Sequence, residues 1–206
     1  MKLSFFSLRT LLVPLVALVL GWLPMRGAEA AVVCTATMTA LNFGTVDLVD
    51  GTPTEASATL DYTCSNDATA NTFARICFNI GDGAQSLGSF NPRIMENSAG
   101  DDLRFQIYQS AGATIWGSNG NTQVPNPFAV NLTIPRRTTL GGNGRVTGSA
   151  TMRGVLAANQ STVPPGSYQD NFAGVHTSIS QTTSTTAMPT TCDTLNTDKF
   201  EFIASA

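Results

Sequence analysis

From residue 57 to residue 180 one pattern keeps returning: short runs of alternating apolar and polar residues, set apart by clusters of Gly, Pro, Asn and Asp. "SATLDYTCS" (57–65), "FARICFNI" (73–80), "DLRFQIYQ" (102–109), "PFAVNLTIP" (127–135), "RVTGSATMRGVLA" (145–157) and "YQDNFAGVHTSIS" (168–180) all carry it. A period of two places one side of each run in a core and the other in solvent. Between them stand "GDG", "VPNP", "LGGNG" and "VPPGS", which supply turn chemistry. Strands at this spacing, with almost no helical periodicity, predict an all-β sandwich or barrel. Glycines within the last two runs are expected to mark a bulge or a bend. No linker interrupts the series, so residues 31–206 are expected to form a single domain.

The chain changes character near its end. "ISQTTSTTAMPTTCDTLNTD" is poor in apolar residues and rich in Thr, and a solvated connection or an extended edge is expected over 180–197. Alternation then resumes in "TDKFEFIASA", which predicts a C-terminal strand over 198–206 with Phe200, Phe202, Ala204 and Ala206 on one face. A chain end frays unless something holds it, so this pattern implies a docking place on the sandwich.

The beginning carries an export signature. Lys2 and Arg9 precede an apolar run from Leu11 to Leu23, and "AEA" (28–30) suits a small-x-small cleavage site. A signal peptide over 1–30 is predicted, because the run is short and broken by Pro for a bilayer span. No later segment is apolar for long enough to form a membrane helix. Lys2, Arg9, Arg26 and Glu29 lie in the leader, so the remaining chain carries a net charge of about −5. A mildly acidic domain whose only basic pair is Arg136–Arg137 is a poor nucleic-acid binder. Cys34, Cys64, Cys77 and Cys192 all follow the leader, and an even number in an oxidising compartment predicts disulfides. Their spacing admits three pairings. It does not suit zinc, for no two lie two to four residues apart and His176 is the sole histidine.

No nucleophile elbow, zincin, P-loop or dinucleotide fingerprint occurs. A Ser-His-Asp triad would need His176, which falls inside an alternating run. Asp101 and Asp102 could serve as a glycosidase pair, but adjacent acids after Gly100 read more simply as a turn. Neither a catalytic site, a metal nor a cofactor is expected, and a binding or structural role follows.

Five pieces in order give the chain a family likeness: "CTATMTALNFGTVD" (34–47) with a second cysteine at Cys64, "NPRIM" (91–95), "LRFQIYQSAGATIWG" (103–117) and "VPPGSYQD" (163–170). Together they resemble the spore coat protein U domain of archaic-type chaperone–usher pilus subunits. In the residues themselves, Phe43–Gly44 suits a strand bend, Trp116–Gly117 a hairpin closure, Gly166 a turn, Tyr168 a corner, and Asp170 an acceptor for loop N–H groups. Arg93 and Tyr108 belong to the same motif set.

The resemblance implies a pilin-type, immunoglobulin-like sandwich that lacks its last strand and takes one from a neighbour. It implies a periplasmic chaperone, an outer-membrane usher and other pilus subunits as partners, with export to the periplasm and then the cell surface. It also implies a Cys34–Cys64 bridge, leaving Cys77 with Cys192. Cleavage after Ala30 would leave three residues ahead of Cys34, spanning about 10 Å, too short a segment to donate. In the family that deficit belongs to tip subunits, which carry a second such domain. In two-domain relatives an alternating strand after the first sandwich completes it, and "KFEFIASA" stands in that position. The expectation is a non-enzymatic, minor or tip-type adhesive subunit serving attachment and biofilm formation, with Phe200, Phe202 and Ala204 as complementing residues. Two alternatives are a self-complemented coat or matrix protein and a secreted carbohydrate-binding module using Trp116.

Overall fold

The computed structural model describes residues 32–49, 51–110, 112–138, 141–195 and 198–206; the predicted signal peptide, 1–30, lies outside them. Twelve strands follow in chain order: β1 (Val32–Met38), β2 (Leu41–Asn42), β3 (Thr54–Asn66), β4 (Thr72–Ile80), β5 (Arg93–Glu96), β6 (Asp102–Gln109), β7 (Phe128–Ile134), β8 (Gly144–Leu156), β9 (Gln169–Phe172), β10 (Thr177–Ser184), β11 (Thr194–Leu195) and β12 (Phe202–Ser205). A single 3-10 turn, Gly174–His176, is the only helical element among the described residues.

They form two sheets. The larger has the order β1-β3-β8-β6-β5-β9-β12-β2 and the smaller β11-β10-β4-β7. Both ends of the larger sheet come from one stretch of chain. β1 pairs with β3 at one end, and β2, beginning three residues beyond β1, pairs with β12 at the other. The Thr39 N–H binds the Thr59 carbonyl at 3.0 Å, so this stretch crosses from one end to the other without leaving the body of the fold. The sheet is therefore curled almost into a closed wall, with the smaller sheet covering the core.

Alternation explains which side chains line that core. In β3, Ala58, Leu60, Tyr62 and Cys64 point inward, and in β4 Ala74, Ile76, Phe78 and Ile80 do the same. β4 departs from strict alternation at its end, where Cys77 and Asn79 are buried on the opposite face as well. That second burial comes from the segment around Cys192, which covers the outer face of the smaller sheet through the Cys77–Cys192 disulfide. The other disulfide, Cys34–Cys64, joins residues directly opposite in the β1–β3 ladder.

Three expectations need correction. The glycines of the 145–157 run mark no bulge: β3 and β8 pair one-to-one from Thr54↔Leu156 to Asn66↔Gly144, straight through Gly148 and Gly154. Gly154 is needed for space instead, since a Cβ there would come within 2.7 Å of both Leu41 methyls. The 168–180 run is not one strand: it breaks into β9, the 3-10 turn and β10, and the bend falls at its glycine as expected, Gly174 at φ +63°. The Thr-rich connection also begins later than 180. β10 continues to Ser184, paired to β4, because Thr suits a pleated, half-buried strand; the exposed link spans 185–191.

The Cys77–Cys192 bridge closes a loop of 115 residues, and restricting a loop of that size in the unfolded chain is worth about 4–5 kcal/mol. Replacing both cysteines by Ala should lower the chemical-denaturation midpoint accordingly. An unchanged midpoint would show that the bridge adds nothing to folding.

Candidate functional site

The C-terminal strand occupies a slot between two other strands. Along β9 it runs antiparallel, with Phe202↔Phe172, Ile203↔Asn171, Ala204↔Asp170 and Ser205↔Gln169. Along β2 it runs parallel, with Ala204↔Leu41 and Ser205↔Asn42. The ladder extends past both strand ends: the Tyr168 N–H donates to the Ala206 carbonyl at 3.0 Å, the Ala206 N–H to the Tyr168 carbonyl at 3.1 Å, and the Phe43 N–H to the Ser205 carbonyl at 2.9 Å. Phe200, Phe202 and Ala204 are buried, whereas Glu201 and Ile203 face out.

Aromatic packing fixes the register. Phe202 stacks on Phe172 with ring centres 4.4 Å apart and planes 5° from parallel. Phe172 in turn meets Phe105 edge-on, and Phe200 meets Phe78 edge-on. The Thr177 hydroxyl donates to the Phe200 carbonyl. Upstream, Cys192 is bonded to Cys77, and its carbonyl accepts from the Asn119 amide at 2.8 Å.

Beside the slot, a polar cluster crosses the core. Arg93 is wholly buried, and it bridges the end of β4 to β6 and the Trp116 segment. Its Nε donates to the Gly81 carbonyl at 2.8 Å, Nη1 to Gln106 Oε1 at 2.6 Å, and Nη2 to the Trp116 carbonyl at 2.8 Å and the Ile80 carbonyl at 3.3 Å. Gln106, also buried, uses its amide to hold the Phe90 carbonyl and Asn91 Oδ1, each at 3.0 Å. Burial pushes the guanidinium down to about 9, with the carboxylates of Asp170 and Asp82 opposing the shift, so it remains charged at neutral pH.

Asp170 is the counterweight. It lies on β9 opposite Ala204, and its Oδ1 accepts the Gln85 N–H at 3.0 Å. Oδ2 is buried without a hydrogen-bond partner and is packed against Gly83, where a Cβ would come within 1.9 Å of it. Burial raises the carboxyl to about 6, against the backbone N–H groups of Gln85, Ala84 and Asn171 and the charge of His176. Asp82 and His176 meet nearby, Oδ1 to Nδ1 at 3.0 Å.

The remaining motif residues have structural neighbours. Phe43 packs edge-on against Phe105, and Gly44, at φ +70°, donates its N–H to Asn42 Oδ1. Tyr108 lies under the Arg153 guanidinium at 4.9 Å. Gly117 passes so near the Val124 carbonyl that a Cβ would lie 2.0 Å from its oxygen. Tyr168 donates to the Pro164 carbonyl at 2.6 Å across the turn containing Gly166, and it accepts from Asn97. Trp116 is fully buried, with Nε1 donating to the Phe78 carbonyl at 2.8 Å, which removes it as a sugar-stacking platform. His176 sits in the 3-10 turn and not within a strand. Asp101 accepts from Asn97 in the turn before β6. The sequence reading missed Gln106, Asn79 and the Asp82–His176 pair. Gln106 was hidden because it occupies the polar phase of the β6 run.

Comparison with known proteins follows the same lines. The Spore Coat Protein U domain matches residues 25–175, ending just before β10 and leaving β12 outside the match. No curated protein sequence matches the chain. Among solved structures, CfaE, the adhesive subunit of CFA/I fimbria of enterotoxigenic Escherichia coli, is 12% identical with a TM-score of 0.39, covering 82% of this chain and 46% of its own. The CupB6 tip adhesin from Pseudomonas aeruginosa is 13% identical with a TM-score of 0.38, covering 82% and 41%. AggA, the major subunit of aggregative adherence fimbriae type I from Escherichia coli, is 12% identical with a TM-score of 0.31, covering 85% and 95%. The chain thus spans about half the length of CfaE.

Asp170 makes stability depend on pH in a stated direction. Its folded pKa of about 6 lies above the ordinary 3.8, so folding favours the protonated form. That contribution is complete below about pH 4 and is lost as pH rises through 6, amounting to about 3 kcal/mol at most. Asp170→Asn should flatten the melting temperature between pH 4 and 7. A variant whose pH profile matches the native protein would remove Asp170 as the source.

Proposed function

The chain belongs to the Spore Coat Protein U domain family, and from that premise we propose that it is an exported, non-enzymatic adhesive subunit of the chaperone–usher type whose sandwich is completed by its own C-terminal strand. The observation that supports this reading is β12, hydrogen-bonded on both edges between β9 and β2. In donor-strand assembly a neighbour's extended segment fills such a slot. Here Phe202 and Ala204 fill it from within, and the apolar face that a chaperone would shield is already covered.

A tip position is supported by how little the described residues leave to exchange. A self-filled slot accepts no donor, and Val32 and Val33, directly ahead of Cys34, are committed to the β1–β3 ladder. Such a sandwich joins a fibre only through a further domain, which is the arrangement of a tip adhesin acting in attachment and biofilm formation. The same strand also favours a second reading, a self-complemented coat or matrix protein outside any fibre. Antibody labelling of cells with and without the usher separates them: label at fibre ends that vanishes without the usher supports the tip, and label that persists supports the matrix protein.

Removing residues 198–206 should expose the slot, lower the melting temperature sharply or cause aggregation, and make the protein dependent on a co-expressed chaperone. A synthetic peptide of residues 198–206 added in trans should restore the melt. Phe202→Ala should cost about 3–5 kcal/mol. A truncated protein that melts like the native one would overturn the completed-sandwich reading.

A further inference from the structure

At one pole of the sandwich, three segments border an open cavity of about 290 Å³ that the strand slot does not use. They are the loop after β4, the loop after Trp116, and the 3-10 turn leading into β10. We propose that this cavity is a binding site for a neutral polyhydroxylated ligand, a glycan terminus, and that it supplies the adhesive contact; the proposal builds on the adhesive reading but uses separate residues.

The walls are fixed before any ligand arrives. Asp82 is held on both oxygens, by His176 Nδ1 at 3.0 Å and by the Gly88 N–H at 2.7 Å. Asn79 Oδ1 accepts the Asn119 N–H at 2.7 Å, while its amide donates to the Ser178 carbonyl at 3.2 Å. Asn121 Oδ1 receives the N–H groups of Gln123 and Val124 at 2.8 and 2.7 Å. Gln123 ties the two loops together, donating to the Gly88 carbonyl at 3.2 Å and accepting the Phe90 N–H at 3.5 Å. Within this tied loop Leu87 is held at φ +47° and is 94% exposed, a conformation that a branched side chain adopts only where its surroundings impose it.

After these bonds are made, a mixed set of donors and acceptors is left unused. The Asn121 amide nitrogen, Asn119 Oδ1 and the hydroxyls of Ser118 and Ser178 belong to residues that line the cavity and have no side-chain partners among the described residues. A sugar hydroxyl both donates and accepts, so such a set suits it. Charge excludes the main competitors. Among the described lining residues there is no Lys or Arg, and His176, the one group able to carry positive charge, is already engaged by Asp82; that single carboxylate is likewise too little for a divalent cation. Phe90 and Val175, the latter 87% exposed, add a small apolar rim of the kind that covers the C–H face of a sugar ring.

The full-length exported protein, applied to a glycan array and titrated with neutral monosaccharides by NMR, tests the assignment. Binding should appear, with shifts confined to His176 and the side-chain amides of Asn79, Asn119 and Asn121. Ser178→Trp fills the cavity and leaves the Ser178 carbonyl in its bond to Asn79; it should weaken binding at least tenfold with an unchanged melt. Arg136→Ala, on another loop, should bind as the native protein does. An empty array, shifts elsewhere, or native binding by Ser178→Trp would overturn the site. Should that variant fail to fold, the shift map on the native protein still decides. Either failure leaves the tail-deletion melt and usher-dependent labelling unaffected, so this site and the completed-sandwich reading fall separately.

Discussion

A strand edge cannot be left open beside an apolar groove without inviting another chain to pair with it, and that constraint organises this protein. The groove between β9 and β2 is lined by Phe172 and Leu41, both fully buried in the completed fold. Without β12, both rings of the Phe172–Phe202 stack would lose their partner, and two rows of backbone groups would lose their ladder. Covering that groove is therefore a condition of solubility as well as of stability. The curl of the larger sheet follows from the same need. Because β1 and β2 lie at opposite ends of it, a single added strand closes the wall, and Gly154 gives Leu41 the room to reach it.

The polar core explains why the slot has a defined shape. Arg93 carries a full charge in the interior, a costly arrangement unless each of its nitrogens is hydrogen-bonded. Three carbonyls and Gln106 meet that requirement, and they belong to the end of β4, the Trp116 segment and β6. One side chain thus links β4 to β6, which belong to different sheets, and adds to the backbone bonds that the Trp116 segment makes with each of them. Asp170 offsets the charge from the β9 side, and β9 is the strand on which β12 docks. The loop after β4, fixed by Asp170 through Gln85 and by Asp82 through Gly88, is positioned by the same electrostatics. Slot and polar cavity are consequently two products of one buried cluster.

Much of this architecture was legible because period-two alternation survives in a single sequence. β3, β4, β6, β7 and β8 coincide with alternating runs, and the tail read as a strand for the same reason. β2 and β5 escaped because two to four residues are too few to carry a period, and the second half of β10, 181–184, because Thr repeats in place of an apolar alternation. Gly148 and Gly154 were misread since a strand glycine can signal either a bulge or a close neighbour, and only the fold shows Tyr62 and Leu41 beside them. Arg93 could be singled out from its motif, but a charged residue gives no local sign that it will be wholly buried. The Asp82–His176 pair joins residues 94 positions apart, a proximity that alternation cannot encode.

The tether on the tail decides how firmly the slot stays closed. Cys192 is fixed to β4, and nine residues separate it from Phe202, the first residue of β12. A short tether of this kind holds its end at an effective concentration in the millimolar range. A strand arriving from another subunit competes against that local concentration, and it must also displace the Phe202–Phe172 stack and the backbone ladder on both edges. Exchange is thus opposed twice, by contacts in the slot and by the covalent anchor just outside it. A pilin-type sandwich arranged in this way pairs its final strand within one chain.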